Sequence, residues 1–137
     1  MTIENPTRTE IGEILKNSKT IAVVGLSDNP ERTSYMVSKA MQDAGYRIIP
    51  VNPTVDTVLG EKAVKSLTEI NEPVDIVNVF RRSEFLMDVA KEFVQIEAGT
   101  FWTQLGLQDE ETYHFLEEKG YTVIMNRCIK VEHAMTR

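Results

Sequence analysis

The run Thr20-Ile21-Ala22-Val23-Val24 is strand-sized and, after its first residue, apolar throughout. A strand with one wet face alternates apolar and polar residues; one without alternation must be covered on both faces, as in a parallel sheet flanked by helices. The neighbouring sequence supplies helices to do so. Thr7-Arg8-Thr9-Glu10 has capping-box spacing, and Ile11, Ile14 and Leu15 then form one apolar face. After a loop from Gly25 to Arg32, Thr33 or Ser34 is placed to cap a second helix. Its Met36, Val37, Ala40, Met41 and Ala44 recur at a helical period, and Gly45 stands where it would end.

The alternation continues to the end of the chain. Strands are expected at 47–51, closed by Asn52-Pro53, and at 74–80, 100–103 and 122–125. The stretch 54–63 is irregular, and Ser66-Leu67-Thr68-Glu69 again has capping-box spacing before a short helical turn. Ser83 opens a helix with Phe85, Leu86, Val89, Ala90 and Phe93 inward; 109–119 is a further helix, and 129–135 a short terminal one. Five strands separated by helices and joined by right-handed crossovers predict one α/β domain over 1–137. Its expected architecture is a doubly wound, Rossmann-like parallel sheet with strand order 3-2-1-4-5. Ligands of such sheets bind outside the carboxyl ends of the strands, beside the first. That rule selects 25–35, Asn52-Pro53, Phe80 to Arg82, and 102–106.

Composition narrows the function. Fifteen Lys and Arg against 21 Asp and Glu give a net charge of −6, the wrong sign for general nucleic-acid binding but compatible with a small anion held by local arginines. The longest apolar run, 21–26, is far short of a membrane span, and the N-terminus lacks the features of a signal peptide. A cytoplasmic protein is expected. A single cysteine, Cys128, and two histidines, His114 and His133, leave no disulfide framework and too few ligands for most metal sites.

Gly25, directly after the first strand, allows a tight turn and close approach to a ligand. Against the Gly-x-Gly-x-x-Gly dinucleotide fingerprint, positions 25, 27 and 30 hold Gly, Ser and Pro, and the acid expected for ribose at the end of strand two is Asn52. What remains is Ser27, Arg32 and Ser34 leading into a helix N-terminus: two hydroxyls, exposed amides and a guanidinium, equipment for a phosphate. Phe80-Arg81-Arg82 adds anion-binding capacity or, alternatively, a packed ring with two solvated arginines. Trp102 at a strand end reads as core before ligand; Gln104 and the Gly106 backbone are the better contacts. Catalytic signatures are missing: there is no Gly-x-Ser-x-Gly, Ser-x-x-Lys or His-Glu-x-x-His. Asp75, inside strand three, reads as an edge or backbone contact, and Asp109-Glu110-Glu111 suits a helix N-terminus.

Five blocks occur in order: 25–35 (GLSDNPERTSY), 45–53 (GYRIIPVNP), 74–82 (VDIVNVFRR), 102–106 (WTQLG) and 125–128 (MNRC). Together they resemble the small stand-alone CoA-binding proteins, whose fold is similar to the CoA-binding domain of the succinyl-CoA synthetase alpha subunit. The resemblance implies a Rossmann-like fold that binds coenzyme A or an acyl-CoA at the switch point. It implies that Gly25, Ser27, Arg32 and Ser34 hold phosphates with Tyr35 nearby. Asn52 and Pro53 would lie along the ligand's path, Phe80 and Arg81 would border it, and Trp102, Gln104 and Gly106 would close the other side. Thr33 and Ile129 depart from the family pattern, which has prolines there. Nothing resembles the synthetase's phosphohistidine segment, so acyl-CoA synthesis is not implied. Two other functions stand beside a non-catalytic CoA-binding role: an enzyme using a nicotinamide nucleotide, and an interaction module tuned by its ligand. A mixed disulfide between Cys128, flanked by Arg127, and the CoA thiol is a minor further expectation.

Overall fold

β1 (Thr20–Val24) sends Ile21 and Val23 to one face of a sheet and Ala22 and Val24 to the other, and all four are buried. The absence of alternation in the sequence thus has the expected cause. The computed structural model describes residues 2–137. β2 (Arg47–Val51), β5 (Val74–Val79), β6 (Ala98–Thr103) and β7 (Thr122–Ile124) complete a five-stranded sheet in which every pairing is parallel. The core lies in two layers on either side of it. α1 (Arg8–Lys16), α2 (Thr33–Asp43) and α5 (Ile129–Thr136) bury Ile11, Leu15, Val37, Met41 and Ile129 on the Ile21 face. α3 (Leu86–Phe93) and α4 (Glu110–Glu117) bury Leu86, Val89, Phe93 and Leu116 on the Val24 face. The Thr7–Glu10 capping box forms at α1 as its spacing predicts.

The strand order departs from expectation. It is β2-β1-β5-β6-β7, or 2-1-3-4-5 counting the five sheet strands, in place of 3-2-1-4-5. The reason lies in the connection from β2 to β5. A right-handed crossover moves the chain sideways in a direction set by the face that it covers. α2 crosses on the Ile21 face. The next connection changes faces: after a hairpin of β3 (Thr57–Val58) and β4 (Glu61–Lys62), the 3-10 turn Leu67–Glu69 buries Leu67 and Ile70 with Ala22, Val24 and Val79. A change of face reverses the sideways step, so β5 returns to lie against β1. The hairpin turns at Leu59 and Gly60, both at positive φ (55° and 76°), the pattern of a type I′ turn. The switch point therefore falls between β1 and β5, as in other sheets of this order.

Candidate functional site

Gly25 makes the switch point possible. It adopts φ +85°, and a Cβ built there would come within 2.6 Å of the Phe80 carbonyl oxygen. Only glycine lets the end of β1 approach the end of β5 so closely. Its N–H donates to the Val51 carbonyl at 2.8 Å, and the Phe80 N–H donates to Val24 at 2.8 Å, joining the carboxyl ends of β2, β1 and β5. Above this junction opens a cleft of about 490 Å³. Val24, Val51 and Val89 give it an apolar floor. Asn52, Pro53, Lys65 and Ser66 form one wall, Phe80 and Arg81 the other, and Glu92 reaches in from α3.

On the Ile21 face the loop after Gly25 is held by its own side chains. The Ser27 N–H donates to Ser34 Oγ at 3.0 Å, Ser27 Oγ accepts from the Asn29 N–H at 3.0 Å, and Asn29 Oδ1 accepts from Glu31 at 3.0 Å. Both serines thus shape the turn, and each keeps a hydroxyl proton to donate. α2 begins after Arg32 with no side-chain cap and no acidic residue in its first turn. An uncapped first turn presents free amides and the positive end of the helix dipole. The Arg32 side chain is exposed and forms no ion pair among the described residues, and Tyr35 packs half-buried beside this turn.

Asn52 serves the scaffold. Its Nδ2 donates to the Leu26 carbonyl at 3.0 Å, and its Oδ1 accepts from the N–H and hydroxyl of Thr54 at 2.9 and 2.8 Å. It clamps the β1 loop to the β2 loop. Across the cleft the two arginines differ. Both guanidinium groups lie over the Phe85 ring, Arg81 at 4.7 Å and Arg82 at 5.4 Å, but Arg82 is paired with Glu84 and Arg81 is not. Stacking of this kind orients a guanidinium without neutralising it.

The β6 residues separate into two groups. Gln104 is 6% exposed, and its Oε1 has no hydrogen-bond partner. A buried acceptor left so is costly unless something donates to it. Since Val79 pairs with Thr103, Gln104 stands at the level of Phe80, beside the switch point. Trp102 is fully buried on the Ile21 face, its Nε1 donating to the Arg127 carbonyl at 2.9 Å, so it leaves a ligand no surface. The Gly106 N–H donates to Asn126 Oδ1 at 2.6 Å and ties the loop to the end of β7, away from the cleft.

Lys65, Ser66 and Glu92 join the cleft without having been singled out by sequence. The spacing at 66–69 was the available signal, but the box does not form: Glu69 Oε1 accepts from the Lys65 N–H at 2.9 Å in place of the Ser66 N–H, and Ser66 Oγ pairs with Thr68. The remaining candidates lie elsewhere. Asp75 accepts from the amides of Lys19 and Thr20 at 2.7 and 3.1 Å, at the opposite end of the sheet. His114 is on α4, His133 packs edge-on against Tyr46, and Cys128 precedes α5, half-buried against the core. Among the described residues no helix is long and apolar enough to cross a membrane.

The family model described as CoA binding domain matches residues 19–134. The chain belongs to that family. Two relatives show its range. The uncharacterized protein YneT of Bacillus subtilis is 66% identical over 98% of this chain and its own full length. The alpha subunit of the ADP-forming acetate–CoA ligase II of Pyrococcus furiosus is 35% identical over 84% of this chain, which spans 28% of that subunit. Among solved structures, cell-free ID.343 from Thermus thermophilus is similar with a TM-score of 0.92 and 37% identity, covering 96% of this chain and 100% of that one. A hypothetical protein from Pyrococcus horikoshii gives 0.91 and 31%, over 99% of each chain. The CoA-binding domain thus occurs both in a relative matched over its full length and as a part of longer subunits.

Proposed function

We propose that this chain binds coenzyme A or an acyl-CoA at the β1–β5 switch point, as a carrier, sensor or accessory protein that does not turn its ligand over. The observation that carries the reading is the junction at Gly25, where an uncapped α2, Arg32 and the hydroxyl protons of Ser27 and Ser34 meet the open end of the sheet. Coenzyme A presents a diphosphate, which suits that group of donors, and a pantetheine arm whose amides are donors in turn. The buried, unpartnered Gln104 Oε1 is an acceptor for such an amide. Phe80 and Pro53 supply apolar borders for an adenine or the arm. Membership of the CoA-binding domain family, and the name of the acetate–CoA ligase relative, support the same ligand.

The lining of the cleft supports binding without chemistry. Its ionisable side chains are Lys65, Arg81 and Glu92, of which Glu92 already accepts from the Leu67 N–H at 3.1 Å, and the Ser66 hydroxyl is paired with Thr68. No nucleophile stands next to a base there. A nicotinamide cofactor is disfavoured because the end of β2 offers Asn52, already engaged at both ends of its carboxamide, where a carboxylate would hold the ribose.

Calorimetric titration with CoA, acetyl-CoA, NAD and NADP at fixed salt tests the reading. Saturable CoA binding is expected, weakened roughly three- to tenfold in Arg32→Ala, the effect of one exposed charge-assisted contact. Binding of a nicotinamide nucleotide but not CoA would overturn it, and silence from all four ligands would leave a protein-interaction role in its place.

A further inference from the structure

We propose that Lys65 and Arg81 form a second anion subsite, which reads the phosphomonoester on the ligand's ribose and makes the site selective for CoA over dephospho-CoA. The inference rests on the CoA reading above and extends it to a specificity determinant.

Lys65 and Arg81 line the same cleft from different walls, one reached after β4 and the other directly after β5. Neither forms an ion pair among the described residues, whereas Arg82, one residue from Arg81, is paired with Glu84. Stacking on Phe85 holds the Arg81 guanidinium at the cleft and leaves its donors available. Glu92 is the carboxylate in the lining; its Oε1 accepts from the Leu67 amide, and its other oxygen suits a ribose hydroxyl. Two cations against one partly satisfied carboxylate favour an anion in this space.

Position completes the argument. The floor of the cleft is Val24, Val51 and Val89, all on the α3 face of the sheet, whereas α2 and its uncapped end lie on the opposite face. The two groups of anion donors are therefore separate centres on either side of the Gly25 junction. One phosphate cannot satisfy both. A ligand that does must carry a diphosphate and, some distance away, another phosphate. CoA does so through its ribose 3′-phosphate and NADP through its 2′-phosphate; NAD and dephospho-CoA do not.

Titrations of CoA, dephospho-CoA, NADP and NAD into the wild-type chain, Lys65→Ala and Arg81→Ala test this. Both residues are exposed, so the fold is expected to survive, and circular dichroism checks it. The wild type should prefer CoA to dephospho-CoA roughly ten- to hundredfold, as expected for charge-assisted contacts to one phosphate. Each substitution should lower CoA affinity toward that of dephospho-CoA and leave dephospho-CoA affinity unchanged, while Lys65→Arg retains the preference. Equal binding of CoA and dephospho-CoA would overturn the subsite and leave the CoA reading intact. A preference that survives both substitutions would likewise overturn it, placing recognition elsewhere. A preference for NADP over both CoA and NAD would overturn the CoA reading while keeping a ribose-phosphate subsite. Binding of none of the four would overturn both.

Discussion

The two ends of the parallel sheet are built to opposite rules. At the amino end, Asp75 accepts from the amides of Lys19 and Thr20, Arg47 pairs with Glu72, and the Arg47 and Val74 amides donate to Lys19 and Glu97. At the carboxyl end, α2 is uncapped, Arg32, Lys65 and Arg81 lack ion-pair partners among the described residues, and Gln104 Oε1 has no donor. The amino end pairs these groups with one another, whereas the carboxyl end leaves several of its own without a partner among the described residues. Substitutions at the first should therefore cost stability alone, and most at the second should cost affinity alone.

Gly25 belongs to both accounts and should show the largest effect. Gly25→Ala forces a left-handed conformation on an L side chain and drives its Cβ against the Phe80 carbonyl. Urea denaturation should show a loss of roughly 2–4 kcal/mol, with CoA binding abolished in whatever remains folded. A folded variant of wild-type affinity would mean that the junction has room to relax and is not what shapes the site.

Arg32→Asp comes next and sharpens the contrast. Aspartate at the N-cap would supply the side-chain cap that α2 lacks, stabilising the fold by roughly 0.5–1 kcal/mol, while placing negative charge where the diphosphate is proposed to sit. The expected result is a raised melting temperature together with a loss of CoA binding exceeding that in Arg32→Ala. Stabilisation with unchanged affinity would show that the helix terminus is not in the site.

Asp75→Ala should do the reverse. It strands the Lys19 and Thr20 amides and is expected to cost about 1–3 kcal/mol of stability. Affinity measured on the folded fraction should not move. Reduced affinity at full folding would show that the two ends of the sheet are coupled.

How far these features were legible depended on whether a residue's role was local or set by topology. The strands were readable because apolar runs such as Ile21 to Val24 announce two-sided burial by themselves. Gly25 was readable because the turn that it makes is local. The strand order was not, since it hinged on which face Leu67 and Ile70 cover, and two residues around a 3-10 turn carry no periodicity to declare a face. Lys65 was missed for the same reason: only the return of β5 to β1 puts the cleft beside it. Ser27 and Ser34 sit where expected, but their oxygens accept from loop amides first. Trp102 at a strand end reads as core from its residue type, and it is core; only the family resemblance assigns it to the ligand. The register sets it against Asn78, one residue before the end of β5, with its side chain fully buried.

The smallest effect comes from comparing two helix N-termini on the same face of the sheet. α1 is closed by its own capping box: the Glu10 carboxylate accepts from the Thr7 N–H at 2.8 Å, and the Thr7 hydroxyl accepts from the Glu10 N–H at 3.2 Å. The bonds from Thr7 favour the charged form and hold the Glu10 carboxyl below its ordinary value of 4.5, against a weaker opposing effect of burial. A carboxyl depressed in the folded state contributes stability above its unfolded value, and loses it as pH falls through the folded value. Glu10→Gln should therefore be slightly less stable than wild type at neutral pH, and the difference should shrink below about pH 4.5. α2 has no such group, so Arg32→Ala should show no comparable change in relative stability over the same acid range. A difference between Glu10→Gln and wild type that persists at low pH would mean that the capping box acts through shape and neutral hydrogen bonds. α1 and α2 would then differ in geometry alone and not in charge.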